Sequence, residues 1–164
     1  MLAAGASTRY GGVKQHDLLP AVLAALRETS VDDVVVVEGA HALSVAGARV
    51  VSCPDWERGP GASLRCGLAA LGDDVEAALV VLADGPELDP RAVARVVEHR
   101  GDGPVVAASY DGTRDHPAVV SRSVWRDVPD EGARALEAVH VACDDLDPPG
   151  DVDYPPESSS KSVS

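Results

Sequence analysis

Apolar positions along the chain fall into short continuous runs separated by segments with helical spacing. Asp33–Glu38 carries four consecutive valines, and Ala77–Leu82 is a second unbroken apolar run. Both have the length of strands buried on both faces. Arg49–Cys53, Pro104–Ser109 and Pro117–Ser121 read as further extended runs, with a turn over 110–115. Between them, Leu19, Val22, Leu23 and Leu26 mark a helix over 18–28, with Asp17 as N-cap and Pro20 in its first turn. Leu64, Leu68 and Leu71 mark a helix over 63–71 ended by Gly72, and Val93, Val96 and Val97 one over 90–99. A shorter helix is expected over 131–139. Met1-Leu2-Ala3 reads as the end of a strand. This alternation predicts a single-domain, three-layer α/β/α sandwich around a mostly parallel, Rossmann-like sheet. The domain is expected over residues 1–157. Beyond Asp144 the chain turns acidic and Pro-rich, and 158–164 reads as a disordered tail.

In such sheets the ligand lies beyond the carboxyl ends of the strands. Two unusual loops leave strand ends, one after Ala3 and one after Leu82, so both are expected on one rim. The first places Gly5, Gly11 and Gly12 around Ser7, Arg9 and Lys14. Glycines let backbone N–H groups close on an oligophosphate, and the two cations neutralise it. The spacing is neither a Walker loop nor a G-x-G-x-x-G fingerprint. By spacing alone a plain Gly-rich turn with surface cations is a competing reading. The second loop opens with Asp84, whose carboxylate is aimed at the same rim. Mg²⁺ is commonly held by one or two carboxylates together with substrate phosphates.

The composition narrows the partners. The formal charge of −13 over 164 residues leaves no basic stripe for a nucleic-acid backbone. A small anion held by a few placed cations and Mg²⁺ remains compatible with it. Arg outnumbers Lys twelve to two, and Lys161 lies in the tail, so Lys14 is the lysine of the folded body. Phe is absent, so the core is built from Ala, Val and Leu. Cys53, Cys66 and Cys143 have no paired or metal-type spacing and read as reduced, buried thiols of a cytoplasmic protein. No apolar run reaches membrane-spanning length.

The run Leu2-Ala3-Ala4-Gly5-Ala6-Ser7-Thr8-Arg9, followed by Gly11 and by Lys14-Gln15, resembles the signature of the MobA-like NTP transferases. It is closest to the branch that makes the cytidine form of the molybdenum cofactor. Further similar segments follow in order: Pro54-Asp55-Trp56 through Gly61, Ser63, Leu64 and Arg65; Asp84-Gly85-Pro86; His116-Pro117; Asp130-Glu131-Gly132-Ala133-Arg134; and Asp151-Val152-Asp153-Tyr154-Pro155. The resemblance implies the nucleotide-diphospho-sugar transferase-like fold and Mg²⁺-dependent transfer of NMP with release of pyrophosphate. Leu2, Ala3, Ala4, Gly5, Ala6, Ser7, Arg9, Lys14, Gly61 and Ser63 would hold the nucleotide, CTP in preference to GTP. Arg9, Lys14 and Asp84 would be catalytic, and Asp84 and Asp153 would hold the metal, with Asp151 able to exchange with Asp153. His116, Asp130 and Arg134 would lie on the side of a phosphorylated acceptor such as molybdopterin, with a molybdoenzyme as a further partner. The segment after Gln15 is shorter than in relatives, and Gly85 and Tyr154 replace the family's Gln and Thr. Two other readings stay open: a non-catalytic module that binds and delivers cofactor, and a nucleotidyltransferase with another phosphorylated acceptor, such as a sugar phosphate.

Overall fold

The computed structural model describes residues 1–6 and 14–152. The expected strand–helix alternation is present: α1 (Lys14–Arg27), β1 (Val35–Glu38), β2 (Arg49–Ser52), α2 (Pro60–Ala69), β3 (Ala77–Val80), α3 (Pro90–Glu98), β4 (Val105–Tyr110), β5 (Thr113–Ser121) and β6 (Val139–Ala142). β1 pairs with β2 in parallel, and a second group has the order β3-β5-β4-β6. Leu2 bridges the two groups, parallel to Val37 on one side and to Leu82 on the other. Among the described residues only β5 runs against the rest, pairing antiparallel with β3 and β4. The fold is the mixed α/β sandwich expected, with a mostly parallel sheet.

Valine and alanine fill the core, as the absence of Phe requires. Val22 and Leu26 of α1 meet Val81 and Val93, while Val96 of α3 packs with Val106, Ala108 and Val119. On the other face Leu64 and Leu68 of α2 cover Val80, Val105 and Val120. All six residues of β4 are buried, which explains why its sequence shows no alternation.

Several local expectations are corrected. Helix α1 begins at Lys14, so Pro20 lies inside it and Asp17 occupies the first turn. Helix α2 begins at Pro60 rather than Ser63, with Gly59 at the cap position and Pro60 at N1, where its missing N–H costs nothing. The expected turn over 110–115 contracts to Asp111-Gly112, both at positive φ, a two-residue hairpin that lets β5 start at Thr113. The expected helix over 131–139 is a single 3₁₀ turn, Ala133–Ala135, followed by β6 pairing in parallel with β4. Cys53 and Cys66 are not reduced thiols but form a disulfide, with Cα atoms 5.7 Å apart. The fold closes their separation by laying α2 back across the end of β2. Cys143 is the buried free cysteine. No helix among the described residues is long and apolar enough to cross a membrane.

Candidate functional site

Three sequence-remote segments meet at the carboxyl ends of the central strands. Lys14, at the head of α1, donates from Nζ to Asp84 Oδ2 at 3.2 Å and to the Val152 carbonyl at 3.1 Å. Asp151 Oδ1 lies 3.8 Å from the same nitrogen. The Val152 amide closes the arrangement by donating to the Asp84 carbonyl at 3.2 Å. The lysine side chain is only 12% exposed and Asp84 31%, so the pair is shielded yet reachable from the rim. The two strand-end loops therefore do share one site. It holds a cation beside two carboxylates.

The first loop is braced from two directions. Gln15 donates from Nε2 to the Gly5 carbonyl at 2.9 Å, and His41 Nε2 lies 3.0 Å from the Ala6 carbonyl. Ala40 N donates to the Ala4 carbonyl, and Ala3 and Ala4 are buried. A lone histidine in an aperiodic loop gives no signal in sequence, so the brace from His41 is visible only in the structure. Its loop is held by Glu38, which accepts from the Leu43 amide and the Ser52 hydroxyl. These hydrogen bonds keep the Glu38 carboxyl below its usual range. Ser7, Arg9 and Asp153 lie outside the described residues.

Gly61 and Ser63 sit in the first turn of α2, both buried. The loop over 129–132 crosses this helix end so closely that a Cβ at Gly61 would fall 1.6 Å from the Pro129 carbonyl oxygen. The Gly61 amide donates to the Asp130 carbonyl at 2.9 Å. Asp130 itself is clamped between Arg58 and Arg65, and Arg65 also donates to the Val128 carbonyl. The Arg65 guanidinium, with Arg58 beside it, holds the Asp130 carboxyl below its ordinary value. Asp130 thus fastens the loop that carries Arg134 to the head of α2.

His116 is 8% exposed, and among the described residues neither of its ring nitrogens has a hydrogen-bond partner. Burial pushes its pKa down, against the pull of Asp115 and Asp84, so the neutral imidazole is favoured. Its ring lies where a side chain at position 85 would project: a Cβ on Gly85 would be 2.6 Å from Nε2. His116, Arg114 and Arg134 line a cavity of about 280 Å³ whose floor includes Leu2, Leu64 and Leu82. Arg114 braces its wall by donating to the carbonyls of Ala133, Arg134 and Leu136. Arg134 is exposed at its edge.

Among the described residues no group of three or more His, Cys, Asp or Glu side chains gathers as a metal cage. Two carboxylates around one cation form the smaller donor set that suits a cation completing its shell with phosphates and water. Residues 1–142 match the model of the MobA-like NTP transferase domain. The chain belongs to this family. A search of the curated proteins finds no match. Among solved structures, Rv0371c from Mycobacterium tuberculosis H37Rv aligns with a TM-score of 0.78 at 26% identity, covering 93% of this chain and 90% of that one. A manganese complex of Rv0371C aligns at 0.69 and 22% identity, over 86% and 84% of the two chains. A nucleotidyl transferase from Methanothermobacter thermautotroptrophicus aligns at 0.68 and 22%, over 86% and 84%. This chain is accordingly an NTP transferase by family and a nucleotidyltransferase-like α/β protein by fold.

Proposed function

We propose that this MobA-like chain transfers NMP from a metal-bound nucleoside triphosphate to a phosphorylated small-molecule acceptor. The observation that carries the reading is the meeting of Lys14, Asp84 and Asp151 at one strand-end rim. An acceptor phosphate attacks the α-phosphorus, the bond to the bridging oxygen breaks, and pyrophosphate leaves. That nucleophile is already ionised near neutral pH, so the protein need not supply a general base. Catalysis rests on alignment and on charge placed in advance. Lys14 exchanges its carboxylate partners for phosphate oxygens, and Arg9 assists from the same loop. Asp84, with Asp153 or Asp151, would hold Mg²⁺, whose charge would offset that of the phosphate oxygens in the transition state. The manganese complex of the similar Rv0371C supports a divalent-cation site. Residues 2–7, with Gly61 and Ser63, receive the nucleotide, while His116 and Arg134 face the acceptor and Asp130 holds the loop of Arg134 in place.

The Leu-Ala-Ala-Gly and Lys-Gln elements favour CTP over GTP, and molybdopterin is the acceptor we favour, with a molybdoenzyme downstream and a cytoplasmic setting. Binding of CTP, GTP, ATP and UTP with Mg²⁺, read by thermal shift and followed by pyrophosphate release, tests the assignment. CTP is expected to give the largest shift. Lys14→Ala is expected to lower turnover by ~100-fold or more, with the circular dichroism spectrum unchanged. Turnover near the parent value would remove Lys14 from the site, and no shift with any nucleotide would favour the delivery module.

A further inference from the structure

The Cys53–Cys66 disulfide closes its loop around the second of the two proposed nucleotide segments. Its ends are the residue after β2 and the second turn of α2. Between them lie the 3₁₀ turn Trp56–Arg58 and then Gly59, Gly61 and Ser63. Little else holds the first half of this loop. Pro54, Asp55, Glu57, Arg58 and Pro60 are exposed, and no residue of the 3₁₀ turn is buried. The Arg58–Asp130 pair is exposed on both sides, where an ion pair contributes little. A segment with so few buried apolar contacts opens locally at low cost unless a covalent bond prevents it. The same segment also reaches the first loop. A Cβ on Gly39 would fall 2.6 Å from Trp56 Cγ and 2.8 Å from Ala4 Cβ, so Trp56 and Ala4 crowd one bare backbone position. Movement of the Trp56 turn is therefore felt at Ala4.

The two sulfurs stand in different surroundings. Cys53 is 2% exposed, and its Sγ lies 3.5 Å from the Ala62 carbonyl oxygen. A thiol at Cys53 would have that carbonyl as its acceptor, so opening the bond leaves no buried donor unpaired. Cys66 is half-buried and is the sulfur that an incoming thiol can reach. Cys143, the third cysteine, packs with Val96 and Val106 in a separate part of the core, away from this exchange.

We propose that Cys53–Cys66 is a reversible thiol–disulfide switch that sets the order of residues 54–63 and, through it, the affinity of the site for nucleotide. The link to nucleotide rests on the function proposed above; the switch itself does not. A small thiol, as its thiolate, attacks Cys66 Sγ. The S–S bond breaks, and Cys53 leaves with the bonding electron pair and takes up a proton. A second small thiol attacks the outer sulfur of the mixed disulfide, releasing Cys66 as a thiol. Two small thiols are thereby oxidised to their disulfide, and one protein disulfide is reduced to two thiols. The oxidised chain presents Gly61 and Ser63 on a preorganised segment, whereas the reduced chain must order that segment on binding.

The test uses the full chain, oxidised and after treatment with dithiothreitol, with thiols counted by alkylation after acid quench and unfolding. One thiol is expected in the oxidised chain, three after reduction, and one again once oxidised glutathione is added. The circular dichroism spectrum should stay that of the folded chain throughout. Amide exchange at residues 55–59 is expected to be about tenfold faster in the reduced chain, with β4 and β5 unchanged. Binding of CTP with Mg²⁺ is expected to be about tenfold weaker. Cys66→Ala should match the reduced chain and ignore dithiothreitol. Loss of the folded spectrum on reduction, failure of the bond to re-form, or equal exchange in both states would overturn the switch. Equal, measurable affinity in both states would overturn its link to the nucleotide. Altered exchange with no nucleotide bound in either state would uphold the switch and remove the nucleotide reading instead.

Discussion

Lys14 sits where one side chain answers two different needs. In the absence of nucleotide its charge is balanced by Asp84 and Asp151, which keeps a nearly buried ammonium from standing unpaired. On the proposed function, Asp84, with Asp151 or Asp153, would turn to a metal–triphosphate complex and leave the lysine to the phosphates. Gly85 is the neighbouring point of tight fit. The absence of a side chain there lets the His116 ring pack against the Asp84 turn. Gly85→Ala is expected to cost about 1–3 kcal/mol through the clash with the imidazole, measured by urea denaturation. Adding His116→Ala should recover part of that loss. Purely additive losses would mean that the two positions are uncoupled.

At the level of elements, α2 and α3 are held by different devices. The Cys53–Cys66 disulfide ties α2 to the end of β2 and encloses the segment that bears Gly59, Gly61 and Ser63. Closing a loop of this length contributes about 2–4 kcal/mol. Reduction is therefore expected to lower the unfolding free energy by that amount, read from denaturation curves with and without reductant. Curves that superimpose would show that the crosslink adds nothing. α3 is tied to the segment after β6 by Arg95, which donates to both carboxylate oxygens of Asp145. The Arg95 guanidinium holds the Asp145 carboxyl at about 2, below its ordinary 3.8. A depressed carboxyl binds fewer protons folded than unfolded, so its contribution is full above pH ~4 and fades as pH falls toward 2. The effect is small because the pair is exposed and screened. Asp145→Asn should flatten this part of the acid limb of a stability–pH curve, and an unchanged limb would dismiss the pair.

Across the whole molecule the charge of −13 acts as a diffuse repulsion that favours expansion. Adding NaCl from low ionic strength to about 0.15 M is expected to raise Tm, because screening weakens that repulsion over distances of about 8 Å. A fall in Tm would show instead that the Arg–Asp bridges dominate. On the proposed function, the same acidity would leave a small-anion substrate dependent on a few placed cations, Lys14 among them.

Hydrophobic periodicity determined the strands and helices, their mostly parallel arrangement and the placing of two chemical loops on one rim. Burial on one or both faces writes itself into which positions are apolar, and that information is local. The boundaries shifted wherever a contact from elsewhere decided them. α2 starts at Pro60 because the 129–132 loop lies across its head, and β6 exists because β4 offers it an edge. The disulfide, the Arg58–Asp130–Arg65 clamp, the contact of His41 with Ala6 and the seating of His116 on Gly85 depend on residues from 13 to 72 positions apart. No spacing rule carries such pairs. Only packing in three dimensions brings them within bonding distance, and so only the tertiary structure decided which polar residues brace the site and which stand open to its ligands.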